Sequence, residues 1–209
     1  MQYPQWFVEK PIKEYQSLLD LHTHYILPER DHKGRRVFLV KTGNIDLSRM
    51  KPTDMAILDE IVYEAVAYEP ETLKNGTLTI TDMSGYSYRN LSWLMPDNLN
   101  IAARKSNCNA VLEHHEHHII NSSMLVNTAF SLMSPFMNKT IKDHVFFHYD
   151  DYEVLHKHVN PEILPEEYRG TGPALDYDAV YERFIYNQED IFQQLLQEGY
   201  VAEEKKQNV

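Results

Sequence analysis

Residues 112–121 read LEHHEHHIIN: four histidines and two glutamates in six consecutive positions, followed by an apolar pair. Imidazole nitrogens and carboxylate oxygens are the donors that hold zinc and related cations, and they are also groups that move protons near neutral pH. The zinc-protease arrangement needs a glutamate directly after the first of two helical histidines four positions apart. His114 and His118 have that separation, but His115 follows His114, and the fourth residue after His115 is Ile119, so the pattern is absent. On a strand, alternation sends Glu113, His115 and His117 to one side and His114, Glu116 and His118 to the other. Either trio carries the donors for a metal, and His22 with His24 offers a second ligand pair on one face. The competing reading is a polar strand entry at a domain rim, its histidines neutral and solvated at pH 7, and it outweighs metal binding and catalysis. Other catalytic marks are missing: there is no Gly-x-Ser-x-Gly elbow, no Gly-rich phosphate loop and no dinucleotide fingerprint. Cys108, in KSNCNAV, has no nucleophile context. No catalytic residue, metal ligand or cofactor is therefore assigned.

The elements that must position this block follow from periodicity. PIKEYQSLLDLHTHYI reads as a short helix, and after the turn at Lys33-Gly34 the apolar run in RRVFLVKTGN reads as a buried strand. KPTDMAILDEIVYEAVAYE places Met55, Ile57, Leu58, Ile61, Val62, Ala65 and Val66 at helical spacing, with Pro52 at its start. Asn75-Gly76 turns the chain into TLTITDM, where Leu78 and Ile80 alternate with Thr77, Thr79 and Thr81, so the threonines share one face of a strand. A helical region over about 87–106 leads to the strand HHIIN. A third helix, MLVNTAFSLMSPFM, is interrupted at Pro135. DHVFFHYDD reads as the last strand, 177–198 as a helix and EEKKQNV as a frayed tail. Strands alternating with helices, without a repeat or linker, predict one α/β domain with a largely parallel sheet.

Composition narrows the function classes. With 20 Lys plus Arg against 31 Asp plus Glu, the formal charge of −11 opposes nonspecific binding to nucleic acid or anionic membranes. The chain's 14 tyrosines and 8 phenylalanines supply a sizeable core. One cysteine makes no internal disulfide, the start MQYPQWFVEK carries no leader pattern, and no apolar run reaches the roughly 20 residues of a membrane span. A cytoplasmic protein without nucleic-acid partners is expected, its four Asn-x-Ser/Thr sequons arising by chance.

Taken in order, LPERDHKGRRVFLVKTGNIDLSR, TLTITDMSGYS, HHIINSSMLVNTAFSLMSPFMNKTIKDHVFFHYDDYEVLHKHV and EILPEEYRGTGP resemble the CRAL-TRIO lipid-binding family, nearest its tocopherol-transfer and retinaldehyde-binding branch. The resemblance implies an α/β lobe, a mostly parallel sheet flanked by helices, with a helical gate over a lipid cavity. It implies a remnant N-terminal helical segment at 1–26, a lipid-binding domain at 27–176, and a C-terminal helix and tail at 177–209. Family members usually carry a larger N-terminal helical bundle, and they usually read Tyr-Gly-Gly where this chain has Tyr168-Arg169-Gly170.

The same resemblance implies the site. Positions matching cavity walls are Ala56, Asp59, Tyr63, Thr77, Thr79, Thr81, Leu94, Ala102, His114, His117, Phe130 and Met133. Met137 joins Met124, Phe130, Leu132, Met133 and Phe136 in a deformable gate. Relatives in the tocopherol-transfer branch hold a phosphoinositide headgroup with basic residues at positions matching Glu113, His115, Thr140 and His144, none of which is Lys or Arg here. The expected function is non-enzymatic binding and transfer of a small hydrophobic ligand such as a retinoid, tocopherol or carotenoid, with transient membrane contact. A polar-ended ligand or partly wet cavity suits these walls better than a purely hydrocarbon one. The alternative is a His-rich metal-binding protein or metal-dependent enzyme. If the block's histidines are exposed, they would turn cationic over about pH 7.5 to 5.5 and act as an acid switch for membrane contact.

Overall fold

The computed structural model describes residues 6–101, 115–137 and 139–198. Five strands form one sheet in chain order: β1 (His24–Ile26), β2 (Arg36–Lys41), β3 (Thr77–Asp82), β4 (His115–Ile120) and β5 (Val145–Tyr149). β1 is antiparallel to β2, and the remaining pairs are parallel. Parallel neighbours in sequential order, joined by right-handed crossovers, place their connecting helices on one face of a sheet. The connections carry α2 (Pro52–Ala67) and α3 (Pro70–Asn75) between β2 and β3, and α4 (Met124–Met133) and α5 (Lys139–Asp143) between β4 and β5. A short helix α1 (Gln16–Leu19) precedes the sheet. α6 (Tyr152–Leu155), α7 (Tyr177–Phe184) and α8 (Glu189–Glu198) follow it.

Register fixes what each face presents. Phe38, Thr79, His117 and Val145 lie side by side across β2 to β5, as do Val40, Thr81, Ile119 and Phe147. This is the helix-covered face. Leu39, Ile80, His118 and Phe146 alternate with them and belong to the opposite face. There, Val37, Leu39, Leu78, Ile80 and Ile120 join Leu155, Val159, Leu164 and Tyr168 in the core, all at most 1% exposed. Each such aliphatic side chain contributes about 1.5–3 kcal/mol by leaving water.

Local chemistry sets the element ends. Pro52 occupies the first turn of α2, and the Asp54 carboxylate accepts the Lys51 N–H at 2.7 Å. Gly76, at φ 81°, ends α3 and hands the chain directly to β3. Gly170 has no substitute, because a Cβ there would overlap the Leu164 carbonyl oxygen.

Three sequence expectations change. The segment read as one helix over 11–26 is a 3₁₀ turn (Ile12–Tyr15), the single turn α1 and then strand β1. His22 takes a left-handed φ of 53° and breaks the helix, after which pairing with β2 captures His24–Ile26. The helical region over 87–106 is a 3₁₀ helix (Tyr88–Trp93) and a helical stretch from 96 to 101, while 102–106 lie outside the described residues. The helix at 177–198 is two helices, α7 and α8, divided by a 3₁₀ turn at Tyr186–Gln188. Tyr181 donates to the His24 carbonyl at 2.7 Å, anchoring α7 to the first strand.

Candidate ligand-facing site

β3 and β4 lay a polar row on the helix-covered face, where Thr77 stands beside His115, Thr79 beside His117 and Thr81 beside Ile119. From α2, the Tyr63 hydroxyl reaches down to Thr79 Oγ1 at 3.0 Å and to His115 Nε2 at 3.0 Å. Thr77 Oγ1 hydrogen-bonds His115 Nδ1. One helix turn earlier, Asp59 meets His24 Nε2 at 2.9 Å, while Thr23 meets that ring's Nδ1. Across the sheet, Phe130 of α4 packs edge-to-face on Phe147 of β5, ring centroids 5.0 Å apart. α2 and α4 are thereby tied to the two ends of one polar floor.

The electrostatics of this floor favour neutral rings. Loss of hydration holds His115 well below the usual imidazole range, with the nearby His117, His118, Arg35 and His144 adding to the effect. Burial likewise lowers His117 to about 4, against a small opposing pull from the Asp59 charge. The condition for an acid switch, exposed histidines, therefore fails at His115 and His117, whose burial favours the neutral ring, while His114 lies outside the described residues. The Tyr63 hydroxyl is pushed far upward by burial and stays protonated.

The CRAL/TRIO domain family matches residues 22–170, which include all five strands. The chain belongs to the CRAL/TRIO family. Clavesin-1 of Rattus norvegicus is 30% identical over 151 residues, 72% of this chain and 43% of that protein. Clavesin-2 of Mus musculus is 27% identical over 150 residues, 72% of this chain and 46% of that protein. The chain thus spans less than half the length of these relatives. The crystal structure of Sfh5 shares the fold, with a TM-score of 0.58 at 13% identity, over 89% of this chain and 68% of that one. CRAL/TRIO proteins are lipid-binding transfer proteins.

Set in a CRAL/TRIO lobe, the expected wall residues separate into groups. Tyr63, Thr77 and Thr79 come together in one network through His115, which the resemblance had assigned to headgroup binding instead. His117 adjoins that network, its ring 4.1 Å from that of His115. Thr81 extends the same face, and Ala56 is buried on α2. Asp59 turns to His24 rather than into this network. Phe130, Met133 and Met137 are half-buried along the gate, and Leu94 is half-buried after the 3₁₀ helix. Ala102 and His114 lie outside the described residues, as does Glu113. The gate also turns apolar groups outward, since Met124 is 85% and Leu132 53% exposed.

A polar cleft of about 400 Å³ lies elsewhere, at the C-terminal ends of β2 to β4, lined by Lys41, Asp82, Asn121, Tyr152 and Glu167 among others. None of its lining residues was expected to touch ligand. Asp82 is engaged there by Asn121 at 2.8 Å and by the Ser84 N–H at 2.9 Å, which makes it a structural hub for the loop ends. The His22 and His24 pair is not a ligand pair: His22 stacks on Tyr177 at 4.2 Å, and His24 is committed to Thr23 and Asp59. Arg169, where the resemblance implies glycine, occupies a left-handed position at φ 53°, with its guanidinium 5.0 Å above the Tyr152 ring.

Sequence reasoning missed a second cluster, on the other face. Glu116 and His118 meet His148 of β5 and His158 beyond α6. Alternation had placed Glu116 with His118, but nothing in the spacing linked either to residues thirty or more positions away.

Proposed function

We propose that this chain binds one small hydrophobic ligand, a retinoid, tocopherol, carotenoid or similar lipid, between the helix-covered face of its sheet and the gate at 122–137. It releases the ligand by opening that gate and catalyses nothing. The observation that carries this reading is the Tyr63, Thr79, His115 and Thr77 network under a gate clasped by Phe130 on Phe147. Polar groups that bond one another no longer each cost the few kcal/mol of facing an apolar ligand unpaired. The floor is thus compatible with a largely hydrocarbon ligand, and its hydroxyls and rings can still meet one polar end. Leu94, Thr81, His117, Met133 and Met137 complete the ligand-facing set, with Ala56 and Asp59 behind it on α2; Ala102 and His114 are proposed for the same wall from the resemblance alone.

The protein is proposed to act in the cytoplasm and to touch membranes transiently through the outward apolar side chains of the gate. No helix among the described residues is long and apolar enough to cross a membrane. With Thr140 and a neutral His115 where relatives carry cations, selective phosphoinositide binding at neutral pH is not expected. Native mass spectrometry after organic extraction, with titration of fluorescent retinoids, tocopherols, sterols and phospholipids, tests the reading. One lipid per chain is the expected result. Phe130→Asp, which puts a charge where the gate clasps Phe147, should weaken uptake at least about tenfold, the equivalent of about 1.4 kcal/mol. Failure of every lipid class to bind overturns the proposal.

A further inference from the structure

The face of the sheet turned away from the proposed lipid cavity carries a second, chemically distinct constellation. Glu116 Oε2 lies 3.1 Å from His118 Nε2 and 3.9 Å from His158 Nδ1, and the three donor atoms fall within 4.8 Å of one another. Two imidazole nitrogens and one carboxylate oxygen, with a coordination position open, form a donor set suited to zinc and its d-block neighbours rather than to magnesium or calcium. We infer that Glu116, His118 and His158 bind one divalent cation of the zinc class.

Two further features support the assignment. First, the far nitrogen of His118 is already held: its Nδ1 lies 2.8 Å from His148 Nε2, the two rings side by side with centroids 5.0 Å apart and planes at 6°. A metal on Nε2 leaves the proton on Nδ1, where it donates to His148, the outer partner that fixes a ligating ring. Finally, His148 Nδ1 is buried without a hydrogen-bond partner among the described residues, so hydrogen bonding alone does not close the cluster. Entry is possible because the side chains of Glu116 and His158 are 21% and 29% exposed, whereas His118 is fully buried.

Arg35 limits the affinity. Its Nη1 already binds Glu116 Oε2 at 2.6 Å, and Lys33 lies 3.9 Å from Oε1. Asp31, 2.7 Å from Arg35 Nε, offsets the guanidinium charge, so Asp31, Glu116 and Arg35 together keep one negative charge for the cation. A carboxylate offers four lone-pair sites, and Arg35 takes one. The half-exposed Lys33 remains as the charge that opposes binding, and removing it should strengthen the site.

The test uses the full chain stripped with chelator and titrated with Zn²⁺ by calorimetry and with Co²⁺ by visible absorption, Mg²⁺ serving as the control. One Zn²⁺ per chain, low-symmetry Co²⁺ bands and a raised melting temperature are expected. His158→Asn, at a partly exposed position, should weaken Zn²⁺ by at least about 100-fold, beyond what loss of an outer partner does. Glu116→Gln should do the same. His144→Gln should change nothing, and Lys33→Ala should tighten binding several-fold. Circular dichroism and urea unfolding show whether each variant is folded. Absence of Zn²⁺ binding, equal binding of Mg²⁺, or affinity unchanged by His158→Asn in a folded chain overturns the site. None of these outcomes bears on whether lipid binds the other face.

Discussion

Two histidines of β4, three positions apart, place the same side-chain type in two different surroundings. On the helix-covered face, His115 is bonded by uncharged hydroxyls, from Thr77 and Tyr63. On the other face, His118 joins an ionised glutamate that is itself gripped by a buried arginine. Both environments keep the imidazole neutral, by different means. Among hydroxyls the ring is one more dipole in a network whose members can each be replaced at modest cost. Beside Glu116 it belongs to a charged system in which removing one member strands another.

The contrast breaks first at Glu116. Arg35 is 4% exposed, and Glu116→Ala would leave its guanidinium with Asp31 as its one carboxylate. Breaking a buried pair costs about 3–5 kcal/mol, and the surviving Asp31 contact should bring this to about 2–4 kcal/mol in urea unfolding. A cost under about 1 kcal/mol would show that the charged face is no more critical than the hydroxyl face.

Acid should act on both faces by unfolding the protein, not by switching it. The His118 ring is fully buried and lowered to about 3, so the unfolded chain, with an ordinary value of about 6.5, binds the proton more readily. Stability from this residue is complete above about pH 6.5 and is lost as pH falls toward the folded value. Between pH 7.5 and 5 His118 alone should account for about 2 kcal/mol, on 1.36 kcal/mol per pH unit below 6.5. His118→Phe should flatten the dependence by that amount. Ring resonances of His115, His117 and His118 that titrate near pH 6.5 in the folded protein would overturn the neutral-ring picture on both faces.

The fold was legible because periodicity reports burial. The alternation of Thr77, Thr79 and Thr81 with Leu78 and Ile80 is a local signal, and it placed β3 and both of its faces correctly. β1 was not legible, since three residues carry too little pattern and their pairing with β2 decides the outcome. The site divides differently. The family resemblance, not local spacing, named Tyr63, Thr77, Thr79 and His117 as cavity walls, and they lie on one face with His115. The Glu116, His118, His148 and His158 cluster depends on the register of β4 against β5 and on where the chain returns after α6. Neither is encoded by local spacing.

The smallest expected effect tests what the hydroxyl face does. In Tyr63→Phe the ring keeps its packing on Phe38, with centroids 4.6 Å apart, and only the oxygen that joins Thr79 to His115 is lost. Thr79 is 5% exposed, so its hydroxyl cannot turn to bulk water for a replacement. The net cost of one such hydrogen bond is about 1 kcal/mol, well below that expected at Glu116. The more informative measurement is ligand preference. If the network meets the polar end of a bound lipid, the variant should lose about fivefold affinity for an alcohol or aldehyde ligand, the equivalent of that 1 kcal/mol. The matching hydrocarbon should bind as before. Equal losses for both ligands would mean that the hydroxyls serve only to hold α2 on the sheet, and that ligand polarity is read elsewhere in the cavity.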